Sequence, residues 1–235
     1  MSQMIDFTVP STVPGRTLHA FRCVPDGQVR AIVQLSHGMV EFIDRYKPLA
    51  EYLAARGILV TGHDHLGHGG SIRTKADYGY FAQPDGNRAV LADLHAMTVL
   101  TKTLYPDVPY FLLGHSMGSF LTRTYLIRYP GTVKGAILMG TGQNPDAMLV
   151  GGKALASVLA RKVGRENASD VVEKLAFGAY NKAFAPNRTG YDWLSVSEEN
   201  VDAYIADPLC GGMASTGLFL ELLGGMAFIK KPANL

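Results

Sequence analysis

The sequence predicts an α/β fold in which a mostly parallel β-sheet carries helices on both faces. From about residue 29 onward, short apolar runs rich in β-branched residues alternate with amphipathic segments of helical length. The 235 residues are enough for one sizeable core, and the 26 glycines suit many tight turns between strands and helices. Strands and helices that alternate in this way form parallel βαβ units with right-handed crossovers.

The first elements come from residues 3–64. The segments QMIDFTV and TLHAFRC have no helix between them and predict an antiparallel hairpin at one edge of the sheet. VRAIVQLS, residues 29–36, predicts a buried strand. FIDRYKPLAEYLAARG predicts a helix that ends at Gly57, and ILVTGHD, residues 58–64, predicts the next strand.

The alternation continues to Thr141. GNRAVLADLHAMTVLTKTLYP predicts a helix that Pro106 ends. PYFLLGHS predicts a strand, MGSFLTRTYLIRYP a helix, and VKGAILMGT another strand. We therefore assign residues 1–141 to the N-terminal part of an α/β core.

Only helical patterns follow Thr141. We expect residues 142–206 to form a helical cap over the sheet, and residues 207–235 to form a helix that returns to the core. A second domain is the alternative. A cap is favoured because this region directly follows a core strand.

Composition excludes several classes of protein. A net charge of +2 without a run of Lys or Arg argues against nucleic-acid binding. The N-terminus lacks the pattern of a signal peptide, and the late apolar segment GLFLELLGGMAFI, with 13 residues and Glu221 inside it, is too short to span a bilayer. Two cysteines form no disulfide framework. We predict a cytoplasmic protein.

Ser116 is the first candidate functional residue. It lies in Gly114-His115-Ser116-Met117-Gly118, between a predicted strand and a predicted helix, which is the context of a nucleophile elbow. Such a turn strains the serine backbone and requires small residues two positions before and after it, which Gly114 and Gly118 provide. The alternative is an ordinary serine in a turn.

A second stretch predicts an oxyanion hole. LSHGMVE ends the strand at 29–36 with His37 and Gly38, in the strand-to-helix loop from which a hydrolase of this kind draws one donor. The donors would be the backbone N–H groups of Met39 and Met117. Gly38 would let the substrate approach the backbone closely. The alternative is an ordinary turn glycine.

The loop GHDHLGHGGS follows the next strand, and Asp64, Gly67 and Gly69 are expected to shape it near the same end of the sheet. The spacing of its imidazoles is also typical of zinc ligands; these would be His63, His65 and His68. We disfavour a metal site because a helical pattern follows Ser116 and no histidine follows His115.

The motifs HGMVEFIDRY, DHLGHGGS and FLLGHSMGS resemble those of the monoacylglycerol lipase and lysophospholipase branch of the α/β-hydrolases, which is grouped with the serine aminopeptidases. The resemblance covers about residues 29–140, and YIADPLC resembles the return from cap to core in that family. Two positions depart from the pattern. Val40 stands where a second glycine is common, and Leu66 lies at a variable position of the D-H-x-G-H-G loop.

The resemblance implies a serine hydrolase that cleaves carboxylic esters of single-chain acyl lipids, monoacylglycerols or lysophospholipids, through an acyl-enzyme on Ser116. It implies no metal or organic cofactor. It places the acid and the base of the triad after later strands, beyond Leu235. We therefore expect a shortened chain in which the strand VKGAILM becomes a sheet edge and favours self-association.

Substrate and partners follow from the same resemblance. We expect a small acyl ester as substrate, with transient contact to a lipid surface. Apolar residues of the predicted cap are candidates for sheltering the acyl chain: Met148, Leu149, Phe177, Phe184 and Trp193. Two alternatives stay open: an S33-type aminopeptidase, which would need acidic cap residues for a substrate amine, and a catalytically silent α/β-hydrolase-fold binding protein.

Overall fold

Six strands form one sheet in a computed structural model that describes residues 2–234. The strands are β1 (Gln3–Pro10), β2 (Thr17–Val24), β3 (Ala31–Ser36), β4 (Ile58–His63), β5 (Tyr110–His115) and β6 (Gly135–Met139). Their spatial order is β1-β2-β4-β3-β5-β6. The β1–β2 and β2–β4 pairs are antiparallel, and the remaining pairs are parallel.

Seven α-helices accompany the sheet in the described part of the chain. They are α1 (Lys47–Ala54), α2 (Gly86–Leu104), α3 (Met117–Arg128), α4 (Asp146–Val163), α5 (Asp170–Phe177), α6 (Glu198–Ala206) and α7 (Thr216–Ile229). Short 3₁₀ helices precede α1 and interrupt the loops, for example at Ile43–Tyr46. The predicted mostly parallel α/β sheet and its antiparallel N-terminal hairpin are confirmed.

The sheet is covered on both faces because successive strand residues point in opposite directions. Leu113 packs with Ile43 and with α1 on one face. Its neighbour Leu112 packs on the other face with Leu94 of α2 and Leu121 of α3. Burial of each such side chain contributes about 2 kcal/mol, so these two clusters hold the helices against the strands.

Strand β6 lies at one edge of the sheet and pairs only with β5 among the strands of residues 2–234. Its side chains Ile137, Leu138 and Met139 are 48%, 38% and 47% exposed. An unpaired strand edge with exposed apolar side chains is a template for association. Self-association through β6 stays a prediction.

The helices after β6 follow the predicted pattern, with α4, α5 and α6 in succession and α7 packed against α2, α3 and α4. The division at residues 141 and 206 stays a prediction. Within residues 2–234, none of the helices combines the length and the apolarity needed to cross a bilayer.

Candidate active site

Ser116 forms the whole turn between a strand and a helix. Strand β5 ends at His115 and α3 begins at Met117, so the chain reverses at one residue. Ser116 has φ 51° and ψ −117°, a conformation that costs a non-glycine residue on the order of 1–3 kcal/mol. Its N–H donates to the Met139 carbonyl at 2.9 Å, and the Ser119 hydroxyl donates to its carbonyl at 2.6 Å.

The two glycines around Ser116 have no room for a side chain. A Cβ on Gly114 would lie 2.4 Å from the Gly118 carbonyl oxygen and from the Thr122 hydroxyl. A Cβ on Gly118 would lie 1.9 Å from the Ser36 carbonyl oxygen. Real Cβ atoms do not approach other atoms this closely, so the start of α3 can sit against the end of β3 only because residue 118 is glycine.

The loop after β3, residues 37–41, lies beside this turn. Met39 is in this loop and lines the same cleft as Ser116. Within residues 2–234, the Met39 N–H donates to no protein acceptor. The N–H of Met117 is the first of α3 and, like the first amides of any helix, has no acceptor within the helix. In the part of the chain that the structure describes, both predicted oxyanion donors are therefore amides near the turn with no protein acceptor.

Val40, which stands where a second glycine is common in the resembled family, still adopts a backbone conformation typical of glycine. It has φ +48°, in the left-handed region that a β-branched residue rarely adopts. Its carbonyl accepts from the Gly211 N–H at 3.0 Å and from the Tyr204 hydroxyl at 3.3 Å. The loop thus keeps the glycine-like conformation with valine in place, held by one contact from α6 and one from the loop between α6 and α7.

Glu41 is a residue of the site that the motif analysis missed. Its Oε1 accepts from the Gly38 N–H at 2.5 Å and the Tyr46 hydroxyl at 2.9 Å, and faces His115 Nδ1 at 3.1 Å. Its Oε2 pairs with Arg45. Burial would raise the pKa of Glu41, but the hydrogen bond from His115 and the nearby positive charges outweigh it and lower the pKa to about 2. A sequence signal was available for Glu41, because a charged residue three positions after Gly38, beside Met39 and Val40, is unusual enough to suggest a role in the loop.

A cluster of buried histidines lies beneath the loop. His37 Nδ1 donates to the Gly38 carbonyl at 2.8 Å, so its Nε2 is free to accept from the His65 N–H at 2.9 Å. Its ring lies 4.3 Å from that of His65 and 5.2 Å from that of His68. Asp64 accepts from the Ile43 N–H at 2.6 Å and from the Gly70 N–H at 2.7 Å, which ties the two loops together.

Burial lowers the pKa of these imidazoles. The pKa is about 4 for His63 and His68 and about 3 for His37, while that of His65 is also well below its usual value. The same effect raises the pKa of Asp64 to about 6. Neutral imidazoles pack beneath the loop without needing a counter-charge, and those of His37 and His68 also hydrogen-bond to backbone groups there.

The histidine geometry does not favour the zinc alternative. Among the residues that the structure describes, the ring nitrogens of His63, His65 and His68 do not come together as a set within 4.8 Å of one another, as ligands of one ion would. Ligand atoms of three residues meet within 4.8 Å elsewhere in the described part of the chain, at Asp6, His19 and Asp44. There Lys47 already pairs with both carboxylates, at 2.8 and 3.0 Å.

A cleft of about 590 Å³ opens above Ser116. Its wall combines Gly38, Met39 and His115 from the core with aromatic side chains from later segments; these are Phe177, Tyr180, Tyr191, Trp193 and Tyr204. Of the residues expected to shelter an acyl chain, Phe177 and Trp193 line the cleft. The other three do not: Leu149 is buried elsewhere, and Met148 and Phe184 are exposed.

His115 and Glu173 are among the titratable side chains that line the cleft. His115 is the one histidine of residues 2–234 that lines it. Glu173 of α5 also lines it, and within residues 2–234 its buried Oε2 has no hydrogen-bond partner. Burial raises the pKa of Glu173. The cleft therefore contains both the Glu173 carboxyl group and a serine beside the amides of Met39 and Met117, an arrangement able to bind a polar ester and attack its carbonyl.

Comparison with known proteins gives a consistent result. The family described as serine aminopeptidase, S33, matches residues 27–235. A monoacylglycerol lipase of Mycolicibacterium smegmatis is 30% identical over 220 residues, which cover 90% of this chain and 68% of that protein. The monoglyceride lipase of Homo sapiens is 30% identical over 217 residues, which cover 88% of this chain and 61% of that protein. The chain thus spans about three fifths of the length of the human lipase.

Solved structures support the fold. A thermostable carboxyl esterase from Bacillus coagulans superposes with a TM-score of 0.87 at 22% identity, covering 97% of this chain and 74% of that one. A monoglyceride lipase from Saccharomyces cerevisiae superposes with a TM-score of 0.66 at 17% identity, covering 96% and 68%. At these identities the likeness concerns the fold alone.

Proposed function

The chain belongs to the serine aminopeptidase S33 family of α/β-hydrolases, and from this membership we propose that the protein is a serine hydrolase that uses Ser116 to cleave carboxylic esters of single-chain acyl lipids. Monoacylglycerols and lysophospholipids are the substrate class. The resemblance of the chain to monoacylglycerol lipases supports the choice of ester over amide.

One observation carries the proposal: the strained single-residue turn at Ser116 opens into the cleft beside two unpaired amides. A protein that used Ser116 only as a turn residue would gain nothing from a positive φ at a non-glycine position, since glycine would adopt it at lower cost. The close contacts of Gly114 and Gly118 add to the support, because the backbone packs so tightly around Ser116 that neither position has room for a side chain.

In the proposed mechanism, Ser116 Oγ attacks the ester carbonyl carbon, and the Met39 and Met117 N–H groups stabilise the oxyanion that forms. The tetrahedral intermediate collapses, the C–O bond to the alcohol breaks, and the alcohol leaves with a proton. Water then attacks the acyl-enzyme and releases the fatty acid. A general base must accept the Ser116 proton. In α/β-hydrolases this base is a histidine that follows the serine and the acid of the triad along the chain, so His115, which precedes Ser116, is not assigned that role.

Ser116→Ala is the direct test. In the full-length protein we expect it to lower kcat for p-nitrophenyl esters by about 10⁴- to 10⁶-fold and to abolish covalent labelling by a fluorophosphonate, because the attacking oxygen is gone. Mass spectrometry of the labelled peptide locates the adduct. Ser157→Ala is the matched control, since Ser157 lies on α4 outside the cleft and its hydroxyl donates to the Lys153 carbonyl. Labelling that persists in Ser116→Ala refutes the proposal, and an unreactive wild type favours the silent binding protein.

The alternative of an aminopeptidase on the same scaffold is favoured by one observation. Glu173 is the acidic cap residue that such an enzyme would need, and it lines the cleft with a buried Oε2 that has no partner within residues 2–234. A carboxylate in this place can accept from the hydroxyls of a polyol ester or from the ammonium group of a peptide. Substrate preference in the Glu173 variant separates the two.

Glu173→Ala is expected to raise KM for a monoacylglycerol by about tenfold, because hydrogen bonds to a charged acceptor contribute about 1.5 kcal/mol or more. Hydrolysis of p-nitrophenyl esters, which lack free hydroxyls, should change less than twofold. Glu198→Ala, with its side chain 77% exposed at the surface, is the control. If the wild type instead prefers amino-acid anilides and Glu173→Ala removes that activity, the aminopeptidase interpretation is correct and the lipase proposal is wrong.

A further inference from the structure

We propose that Glu41 is a positioning residue that fixes the loop at residues 37–41 in the form that presents the Met39 amide to the reacting carbonyl. The inference rests on the proposed function, because it assigns a task within the same site. Glu41 is buried, with 4% of its surface exposed, and lies between Val40 and the 3₁₀ helix Ile43–Tyr46.

The carboxylate joins three separate parts of the site. Gly38 belongs to the loop after β3, Tyr46 to the turn before α1, and His115 to the end of β5, directly before Ser116. All three place a donor on the same oxygen, Oε1, at distances of 2.5 to 3.1 Å. Removing this oxygen therefore releases the loop from both the helix and the strand that carries the nucleophile.

The negative charge is matched to its surroundings. A buried ionised carboxylate costs several kcal/mol unless charged and hydrogen-bonding partners compensate it. Arg45 pairs with Oε2, and its guanidinium also lies over the Tyr204 ring, 4.9 Å from the centroid. A glutamine at position 41 has a single oxygen, which can accept from the Gly38 side or from Arg45 but not from both. Its two N–H donors would then face another donor, so the neutral isostere cannot reproduce all of the contacts.

The Gly38 contact decides which amide is offered to the substrate. Because Glu41 holds the Gly38 N–H at 2.5 Å, this donor is unavailable, and the next amide of the loop, that of Met39, stays unpaired. A Cβ on Gly38 would lie 2.5 Å from Glu41 Oε1, so the contact also requires glycine at position 38.

The strain at Val40 shows that the loop needs such a clamp. A valine at φ +48° returns to ordinary backbone conformations unless neighbouring contacts prevent it. The contacts of the Val40 carbonyl with Gly211 and Tyr204 act on one side, and the Glu41 side chain acts on the other. Both carboxylate oxygens are occupied by protein donors, so Glu41 acts through the loop and does not bind the substrate itself.

The test is Glu41→Gln in the full-length protein, with p-nitrophenyl ester hydrolysis as the assay. We expect kcat to fall by about 10- to 100-fold with KM changed less than twofold. A displaced oxyanion donor stabilises the transition state less, whereas it hardly affects the binding of the substrate. In ¹⁵N-labelled protein, the Gly38 amide proton should shift upfield as its short bond to a carboxylate is lost. Unchanged kcat in Glu41→Gln refutes the inference, and so does a rise in KM alone.

Asp93→Asn is the matched control. Asp93 of α2 is also a buried carboxylate that accepts several hydrogen bonds, from the Thr12 N–H and the Ser11 hydroxyl, but it lies outside the cleft. We expect it to lower stability while kcat stays within twofold. If Glu41→Gln does not fold, Tyr46→Phe removes one of the three donors and should lower kcat by three- to tenfold; unchanged kcat there overturns the inference. Failure of the proposed function is distinguishable, because Ser116→Ala would then keep its activity.

Discussion

Gly118→Ala is expected to destabilise the protein by about 3 kcal/mol or more and to abolish labelling of Ser116. The new Cβ would stand 1.9 Å from the Ser36 carbonyl oxygen and 2.7 Å from that of His37. Both atoms belong to the backbone and cannot turn aside as a flexible side chain would. The start of α3 must therefore move away from β3, which separates the Met117 amide from the oxyanion loop.

Two measurements check this expectation. Urea unfolding gives the change in the free energy of unfolding, and fluorophosphonate labelling reports the site. Gly151→Ala and Gly224→Ala are controls within α4 and α7, where an added Cβ meets nothing within 4 Å. Alanine should stabilise these helices by up to about 1 kcal/mol. A Gly118→Ala protein with wild-type stability would show that α3 does not approach β3 as closely as described.

The second large effect is a loss of stability in acid. The unfolded chain protonates its histidines near pH 6.5, whereas the folded protein holds His63 and His68 neutral down to a pKa of about 4 and His37 down to about 3. The unfolded state therefore binds more protons below pH 6.5. Stability is complete above that pH and is lost as the pH falls toward 4.

Two carboxyl groups modify this result. The raised pKa of Asp64, about 6, gives the opposite sign, because the folded protein takes up that proton before the unfolded chain does. It offsets part of the contribution of one imidazole. The lowered pKa of Glu41, about 2, adds a further loss, but only as the pH falls below about 4.5. The net effect between pH 7 and 5 is destabilising, on the order of 5 kcal/mol, since each buried imidazole contributes about 2 kcal/mol at pH 5.

His63→Leu isolates the cause. Within residues 2–234 both ring nitrogens of His63 are buried without a partner, so an apolar side chain should keep or raise stability at pH 7.5. The difference in unfolding free energy between pH 7.5 and pH 5 should shrink by about 2 kcal/mol. His95→Gln, at a partly exposed position on α2, serves for comparison. A pH dependence that His63→Leu leaves intact would assign the acid sensitivity to other groups.

Much of the fold could be predicted because its signals are local. The β-branched runs that became β3 and β4 and the helical pattern of α2 each carry their periodicity within one segment. Gly57 and Pro106 mark element ends by properties of their own backbone. Such features do not depend on which strand lies beside which.

The site was predictable only where the backbone dictates a residue type. Ser116 stood out because a nucleophile in a sharp turn needs glycine on both sides, and the strand and helix pattern gave the context. The backbone does not dictate the residue type at Glu41 or Glu173 in this way. Their significance depends on side chains that meet across the fold, at His115 for one and in the cleft for the other. Of the five cap residues expected to shelter an acyl chain, Phe177 and Trp193 line the cleft and three do not, because periodicity within a helix does not say which helix will lie beside the serine.

The pairing of Ser36 with Gly114 in the β3–β5 ladder has a consequence for how such proteins diversify. Hydrogen bonds between β3 and β5 set the distance between the loop that carries Met39 and the turn that carries Ser116. Lengthening a segment elsewhere in the chain therefore does not change that distance. A slip of one residue between these strands would displace one loop by about 3.3 Å and reverse which way its side chains point. Sequence and length can therefore vary in the segments around the mouth of the cleft, while the pairing of β3 with β5 keeps the two loops at a constant distance.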